Sequence, residues 1–201
     1  MKRVELNNGW YIFLENFYSS SESTHLLNYL LNELNWKSGE IKLFGKVYPI
    51  PRKQVYFSDN GLSYSYSGKE LIIDAWDENV LNMKRRLQAL LNVEFNACLS
   101  NLYRNGQDSN GWHSDNEKEL GTNPIIASVS FGATRRFDLK HQSNKQKLSF
   151  QLTSGSLLVM GGEMQHFWKH QIPKQKNINN PRVNLTFRQV LDMTVPAVIK
   201  T

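Results

Sequence analysis

Apolar side chains along the chain change their spacing near residue 95, from helical intervals to alternation. Before that point Leu26, Leu27, Leu30, Leu31 and Leu34 recur every three or four residues, and Ser19 and Glu22 have capping-box spacing. This predicts an amphipathic helix over 21–35. A second helix is predicted over roughly 77–92, opened by Asp77, with Val80, Met83, Leu87, Leu90 and Leu91 on one face. Lys84, Arg85 and Arg86 lie off that face and read as a solvated side. Trp10, Tyr11, Phe13, Leu14 and Phe17 predict a strand or lead-in that packs on the core. Residues 41–52, with Gly45, Pro49 and Pro51, read as irregular. Asp59-Asn60-Gly61 between the β-rich runs 53–58 and 62–66 predicts a hairpin. On its second strand Leu62, Tyr64 and Tyr66 share one face.

Beyond residue 95 the period is two. Phe95 to Tyr103, Ile125 to Phe131, Arg135 to Lys140, Leu148 to Leu152 and Leu157 to Met160 read as strands, followed by short ones around 166–170 and 182–190. Gly132, Ser154-Gly155 and Gly161-Gly162 break the runs. Two helices followed by about eight short strands predict an α+β fold that is mainly β, a double-sheet jelly roll with the helices packed on one side. With no internal repeat and no linker, residues 1–201 read as a single domain.

Composition narrows the setting. Apolar content of 40% with five Trp, eight Tyr and ten Phe describes a folded globule. No apolar run approaches the ~18 residues of a membrane span, and no signal-peptide stretch follows the basic start. A single cysteine, Cys98, excludes an internal disulfide and a multi-cysteine zinc site, which fits an intracellular, reducing setting. The net charge of +6 suits a polyanionic partner such as nucleic acid, or an ordinary basic protein.

Candidate chemistry starts at His113-Ser114-Asp115. On an extended segment an imidazole and a carboxylate two residues apart share a face and can share one metal ion. His166 and His170 are both in reach as a third ligand. Two histidines and one carboxylate with open positions make the facial triad of non-haem Fe(II) oxygenases. The C-terminal strand puts Arg182, Asn184, Thr186 and Arg188 on one face and Val183, Leu185 and Phe187 on the other. If the polar face is interior, two arginines about 20 Å apart at strand rise require an anionic ligand, and a dicarboxylate suits their forked geometry. The tip Leu43-Phe44-Gly45-Lys46 reads either as a wedge for a base stack or as a loop with Phe44 tucked inward.

Taken in order, several runs resemble the AlkB family of Fe(II)/2-oxoglutarate-dependent dioxygenases, and most of all the branch that repairs alkylated DNA. They are Asn101-Leu102-Tyr103-Arg104-Asn105, Trp112 to Glu117, Ile126 to Ala133, Trp168 to Pro173 and Pro181 to Arg188. The resemblance covers about residues 40 to 190. It implies a double-stranded β-helix core over 95–190 and a nucleotide-recognition lid over 40–67. It implies Fe(II) held by His113, Asp115 and His170, the last chosen over His166 because it precedes a hydrophobic-Pro dipeptide. It implies 2-oxoglutarate held by Arg182 with Tyr103 at the distal carboxylate, and by Arg188 and Asn101 toward C1, with Asn184 as a further contact. Phe44 and Gly45 match a base-stack finger; Arg52, Tyr64, Tyr66 and Ser67 match residues around the damaged base and its backbone. Glu117 matches the position that meets the exocyclic amine. Asn116 departs from the Asp frequent at its position.

The implied activity is oxidative demethylation of 1-methyladenine and 3-methylcytosine in DNA, with dioxygen as oxidant and succinate, carbon dioxide and formaldehyde as products. The implied protein is a monomer with no membrane partner, cytoplasmic in a bacterium or nuclear in a eukaryote. An RNA base demethylase and a non-enzymatic nucleic-acid-binding jelly roll are the alternatives.

Overall fold

The computed structural model describes residues 1–43, 46–59, 62, 65–66 and 69–192. The chain opens with a hairpin of β1 (Val4–Leu6) and β2 (Gly9–Leu14), turned at Asn8, whose φ of 59° lies in the left-handed region that Asn tolerates. Helix α1 (Ser20–Glu33) begins at a full capping box. Ser19 Oγ accepts from the Glu22 N–H at 3.3 Å, and Glu22 Oε2 accepts from the Ser19 N–H at 2.7 Å.

The predicted irregular segment 41–52 is instead largely sheet. β3 (Lys37–Leu43) pairs antiparallel with β4 (Lys46–Ser58), with a register shift between Ser38 and Glu40. Pro49 and Pro51 fit because β4 gains its second antiparallel neighbour only from Lys53 onward, so both prolines stand where one side of the strand has no ladder to supply. Among the described residues, the pairing expected of a 53–66 hairpin is not formed either. β5 (Ser65–Tyr66) pairs with β6 (Lys69–Glu70), and β7 (Ile73–Asp74) runs parallel to β4 at Tyr56 and Phe57. Both edges of β4 are therefore taken, and Ser58 Oγ donates to the Leu62 carbonyl at 3.0 Å as the chain leaves it. Phe44, Gly45, Asn60, Gly61, Tyr64 and Ser67 lie outside the described residues, and Tyr66 falls in β5.

Helix α2 (Glu78–Leu91) starts at Asp77, whose Oδ1 accepts from the Asn79 and Val80 N–H groups, and ends at Asn92 in the left-handed conformation. Val80, Met83 and Leu87 are buried and Leu91 packs against the same core, but Leu90 is 39% exposed and stands off the predicted stripe.

The remaining chain is β8 (Ala97–Tyr103), β9 (Asn110–His113), β10 (Ile126–Gly132), β11 (Arg135–His141), β12 (Lys147–Leu152), β13 (Ser156–Gly161), the single turn α3 (Met164–Phe167), β14 (Trp168–Ile172) and β15 (Arg182–Arg188). His166 thus sits exposed on α3 and not on a strand, because the chain after Gly161 winds one helical turn before β14.

The protein is mainly β and its main sheets are antiparallel apart from β7. One sheet runs β1-β2-β13-β10-β15-β8-β4-β3, and a four-stranded sheet runs β12-β11-β14-β9. The central strands of the large sheet, β13, β10, β15 and β8, are covered on both faces. One buried cluster joins Leu26 and Leu30 of α1 and Met83 and Leu87 of α2 to Val129, Phe131, Leu185 and Phe187. The alternate residues Ile126, Leu99, Leu158 and Met160 join Phe137, Leu139 and Trp168 of the small sheet. Fully burying one such aliphatic or aromatic side chain stabilises by about 1.5–3 kcal/mol. Among the described residues, no helix is long and apolar enough to cross a membrane.

Candidate active site

The polar face of β15 points between the two sheets. Its apolar partners Val183, Leu185 and Phe187 are fully buried on the other side, so period two leaves Arg182, Asn184, Thr186 and Arg188 no place but the inter-sheet space. Direct cross-strand pairing sets Arg182 opposite Tyr103 and Asn184 opposite Asn101 on β8. In the small sheet, pairing of β9 with β14 sets His113 opposite His170. Asp115 follows β9 by two residues. These residues border one cleft of about 480 Å³, open space at its mouth included.

His113, Asp115 and His170 bring one ligand atom each within 4.8 Å of one another. The two rings meet edge to face at 4.2 Å, and Phe137 stacks on His170 at 5.3 Å. His113 Nδ1 lies 2.7 Å from the Gly111 carbonyl, which makes it the protonated nitrogen and leaves Nε2 as the lone pair; Nε2 accepts from Asn110 Nδ2 at 3.1 Å. Burial pushes His170 down to about 3 and lowers His113, so both rings are neutral near pH 7, the form that binds a metal. Burial opposes a charge on Asp115, but the Arg188 guanidinium holds its carboxyl well below the usual carboxylate range.

Asp115 is held from two sides. Its N–H donates to Gln165 Oε1 at 2.9 Å, and its Oδ2 accepts from Arg188 Nη2 at 2.7 Å and Nε at 3.3 Å. Its Oδ1 is buried with no hydrogen-bond partner. A buried carboxylate oxygen without a donor is costly, and a cation relieves that cost. The donor set of two neutral imidazoles and one carboxylate therefore fits Fe(II).

The other end of the cleft fits an anion. Arg182 is 1% exposed; its Nη2 donates to Ser130 Oγ at 2.9 Å, while Nε and Nη1 are buried with no hydrogen-bond partner. Burial and the nearby Arg135 charge depress it to about 10. The Tyr103 ring faces its guanidinium at 5.2 Å. Asn184 Nδ2 donates to Ser128 Oγ and to the Val129 carbonyl. A carboxylate offers Arg182 the acceptors it lacks.

The expected metal and 2-oxoglutarate residues therefore come together, with the Arg188 guanidinium engaged by Asp115. Arg52, expected at the damaged base, is buried and donates to Asn101 Oδ1 at 2.9 Å and to the Ser109 carbonyl at 3.2 Å. Glu117 opens the short 3-10 turn Lys118–Leu120 just beyond Asp115. Sequence reasoning missed Gln165, which orients Asp115, and Gln54, which donates to Asn101 Oδ1 at 2.9 Å. It also passed over Trp112, 39% exposed beside His113 with the Lys140 ammonium 4.3 Å above its ring.

Comparison with known proteins agrees with this geometry. A family model described as 2OG-Fe(II) oxygenase superfamily matches residues 11–188. DNA oxidative demethylase ALKBH2 of Bos taurus is 35% identical over 195 residues, covering 92% of this chain and 70% of the relative. The human protein named alpha-ketoglutarate-dependent dioxygenase alkB homolog 3 is 35% identical, covering 87% of this chain and 64% of its own. Among solved structures, OsALKBH1 shares the fold with a TM-score of 0.61 at 18% identity, covering 94% of this chain and 100% of its own. A prolyl hydroxylase from Trichoplax adhaerens does so with a TM-score of 0.64 at 15% identity, covering 93% and 85%. The chain belongs to the 2OG-Fe(II) oxygenase superfamily and, within it, to the AlkB family.

Proposed function

We propose that this dioxygenase removes methyl groups from alkylated bases of DNA, 1-methyladenine and 3-methylcytosine among them. The observation that carries the reading is a single cleft with an orphaned carboxylate oxygen of Asp115 at one end and orphaned guanidinium nitrogens of Arg182 at the other. A metal and a dicarboxylate together satisfy both. The names of the ALKBH2 and alkB homolog 3 relatives supply the substrate class.

In this reading His113, Asp115 and His170 would hold Fe(II), which would supply the oxygen chemistry. Arg182, with Tyr103, holds the distal carboxylate of 2-oxoglutarate, and Asn184 is a further contact. Arg188 fixes the rotation of Asp115, and Asn101, itself held by Arg52 and Gln54, borders the metal side. Bound Fe(II), with 2-oxoglutarate and dioxygen, supplies the oxidation that hydroxylates the methyl carbon, after which formaldehyde leaves and the base is restored. The protein supplies position, charge and exclusion of water. A base methylated on its pairing edge leaves the stack more cheaply than a sound one, which favours damaged bases.

The segment 40–67 serves as the nucleotide-recognition lid over a 95–190 core. In this reading the finger role falls to Phe44 and Gly45, and nucleotide recognition to Arg52, Tyr64, Tyr66, Ser67 and Glu117. The fold reading that accompanies this is a double-stranded β-helix with both helices against the large sheet. The test is succinate formation in aerobic Fe(II) buffer with 2-oxoglutarate and a single-stranded oligonucleotide carrying 1-methyladenine. Succinate formation well above that with the unmethylated strand supports the reading, and no stimulation by any methylated DNA overturns it. A response confined to methylated RNA would replace the substrate and keep the chemistry.

A further inference from the structure

Arg135 opens β11 and is 1% exposed, yet no carboxylate pairs with it among its described hydrogen bonds. Its guanidinium donates to three main-chain carbonyls, those of Asn105 (3.1 Å), Asp108 (2.8 Å) and Pro173 (2.8 Å), and to Gln175 Oε1 (3.3 Å). All four acceptors are neutral groups. The nearby carboxylate of Asp108 is bound by Arg104 through Nε and Nη2, both at 2.8 Å. The Asp108 carboxylate therefore acts on Arg135 only through space, and with neutral groups at all of these hydrogen bonds the buried guanidinium keeps its charge against a desolvation cost.

What lies beside it gives that charge a use. The Tyr103 ring has Arg135 at 5.5 Å and Arg182 at 5.2 Å, so two buried guanidiniums share one aromatic neighbour. The carbonyls that Arg135 gathers belong to the loop leaving Tyr103 and to the loop leading into Arg182. Those two loops are further joined by paired main-chain hydrogen bonds, Gly106 N–H to the Ile178 carbonyl and Gln175 N–H to the Gly106 carbonyl. Gly106 must stay bare for this, since a Cβ there would stand 1.8 Å from the Gln175 oxygen.

We propose that Arg135 is a positioning residue for the co-substrate. It fixes Tyr103 and Arg182 at the closed end of the cleft and adds a second buried positive charge that selects a ligand with a distal carboxylate. It does not touch the ligand; it acts through Tyr103, Arg182 and the field at that end. This rests on the 2-oxoglutarate reading of the cleft.

The test measures equilibrium binding to the full chain loaded with Mn(II) in place of iron, in the absence of dioxygen. The ligands are 2-oxoglutarate and its analogue with a neutral amide at the distal carboxyl. In Arg135→Met the dissociation constant for 2-oxoglutarate is expected to rise about tenfold, while that for the amide changes less than about twofold and Mn(II) affinity is unchanged. Arg135→Lys keeps the charge and loses the fork; it is expected to retain the preference for the dicarboxylate within about threefold of the parent, and it serves if Arg135→Met does not fold. Turnover is expected to show a raised KM for 2-oxoglutarate with kcat nearly unchanged. Equal weakening of both ligands, or of neither, overturns the proposal, as does loss of the preference in Arg135→Lys. A parent protein that does not discriminate the two ligands overturns the co-substrate reading itself and, with it, this proposal.

Discussion

Arg188 grips one oxygen of Asp115 through two nitrogens, Nη2 at 2.7 Å and Nε at 3.3 Å, and leaves Oδ1 on the side where His113 Nε2 lies 3.8 Å away. An arginine that the resemblance assigns to the co-substrate is thus first an orienting group for a metal ligand. The carboxylate is held in one rotamer and kept ionised before any metal arrives. Arg188→Met is expected to weaken divalent-metal binding about 10–100-fold, the usual effect of losing a partner that orients a ligand. Titration of Co(II) followed by its visible spectrum checks this; an unchanged affinity contradicts it.

The two C-terminal histidines should separate cleanly. His170 faces His113 across a strand pair, whereas His166 is exposed on the turn before it. His170→Ala is expected to abolish stoichiometric Fe(II) binding, and His166→Ala to leave it within about twofold. The opposite pattern would relocate the third ligand.

The start of α1 has a pH signature. Hydrogen bonds from the Ser19 side chain and main chain, and then from Arg86, hold Glu22 down to about 2 from an ordinary 4.5. The folded value lies below the unfolded one, so this contribution is present above about pH 4.5 and is lost as pH falls from there through about 2. Chemical denaturation of Glu22→Gln is expected to show a shallower loss of stability over that window than the parent. Parallel curves would deny the capping box its role. Ser19→Ala, which removes the reciprocal half, is expected to cost about 1 kcal/mol at neutral pH.

Helix and sheet share one core through Leu30, which is 0% exposed in the cluster with Val129, Leu185 and Phe187. Leu30→Ala is expected to cost about 2–5 kcal/mol in equilibrium unfolding. Because Leu185 and Phe187 alternate with Asn184 and Arg188, that loss should also raise the KM for 2-oxoglutarate. A destabilised variant with unchanged KM would mean that the β15 polar face is held independently of α1.

Much of the site was legible because the strand that carries it is buried on both faces. Period two assigned Arg182, Asn184, Thr186 and Arg188 to one side from their neighbours alone, and His113 and Asp115 likewise. The helix starts at Ser19 and Asp77 were legible because a cap is a local interaction. Partners distant in the chain were not. Arg135 binds main-chain carbonyls, which leave no mark in residue type. Gln165 reaches Asp115 only because α3 interrupts a stretch that reads as a strand. Arg52 and Gln54 bind Asn101 through the β4–β8 register, and for Arg52 the nearby prolines suggested irregular chain. A proline penalty depends on which edge of the strand is paired, and that is a tertiary fact.

The most direct test of the central claim is the mass of an oligonucleotide carrying one 3-methylcytosine after incubation with the protein, Fe(II), 2-oxoglutarate and air. The account predicts loss of one methylene per lesion with the parent chain, dependent on 2-oxoglutarate and absent with His170→Ala. Consumption of 2-oxoglutarate with the methylated DNA left intact would contradict it.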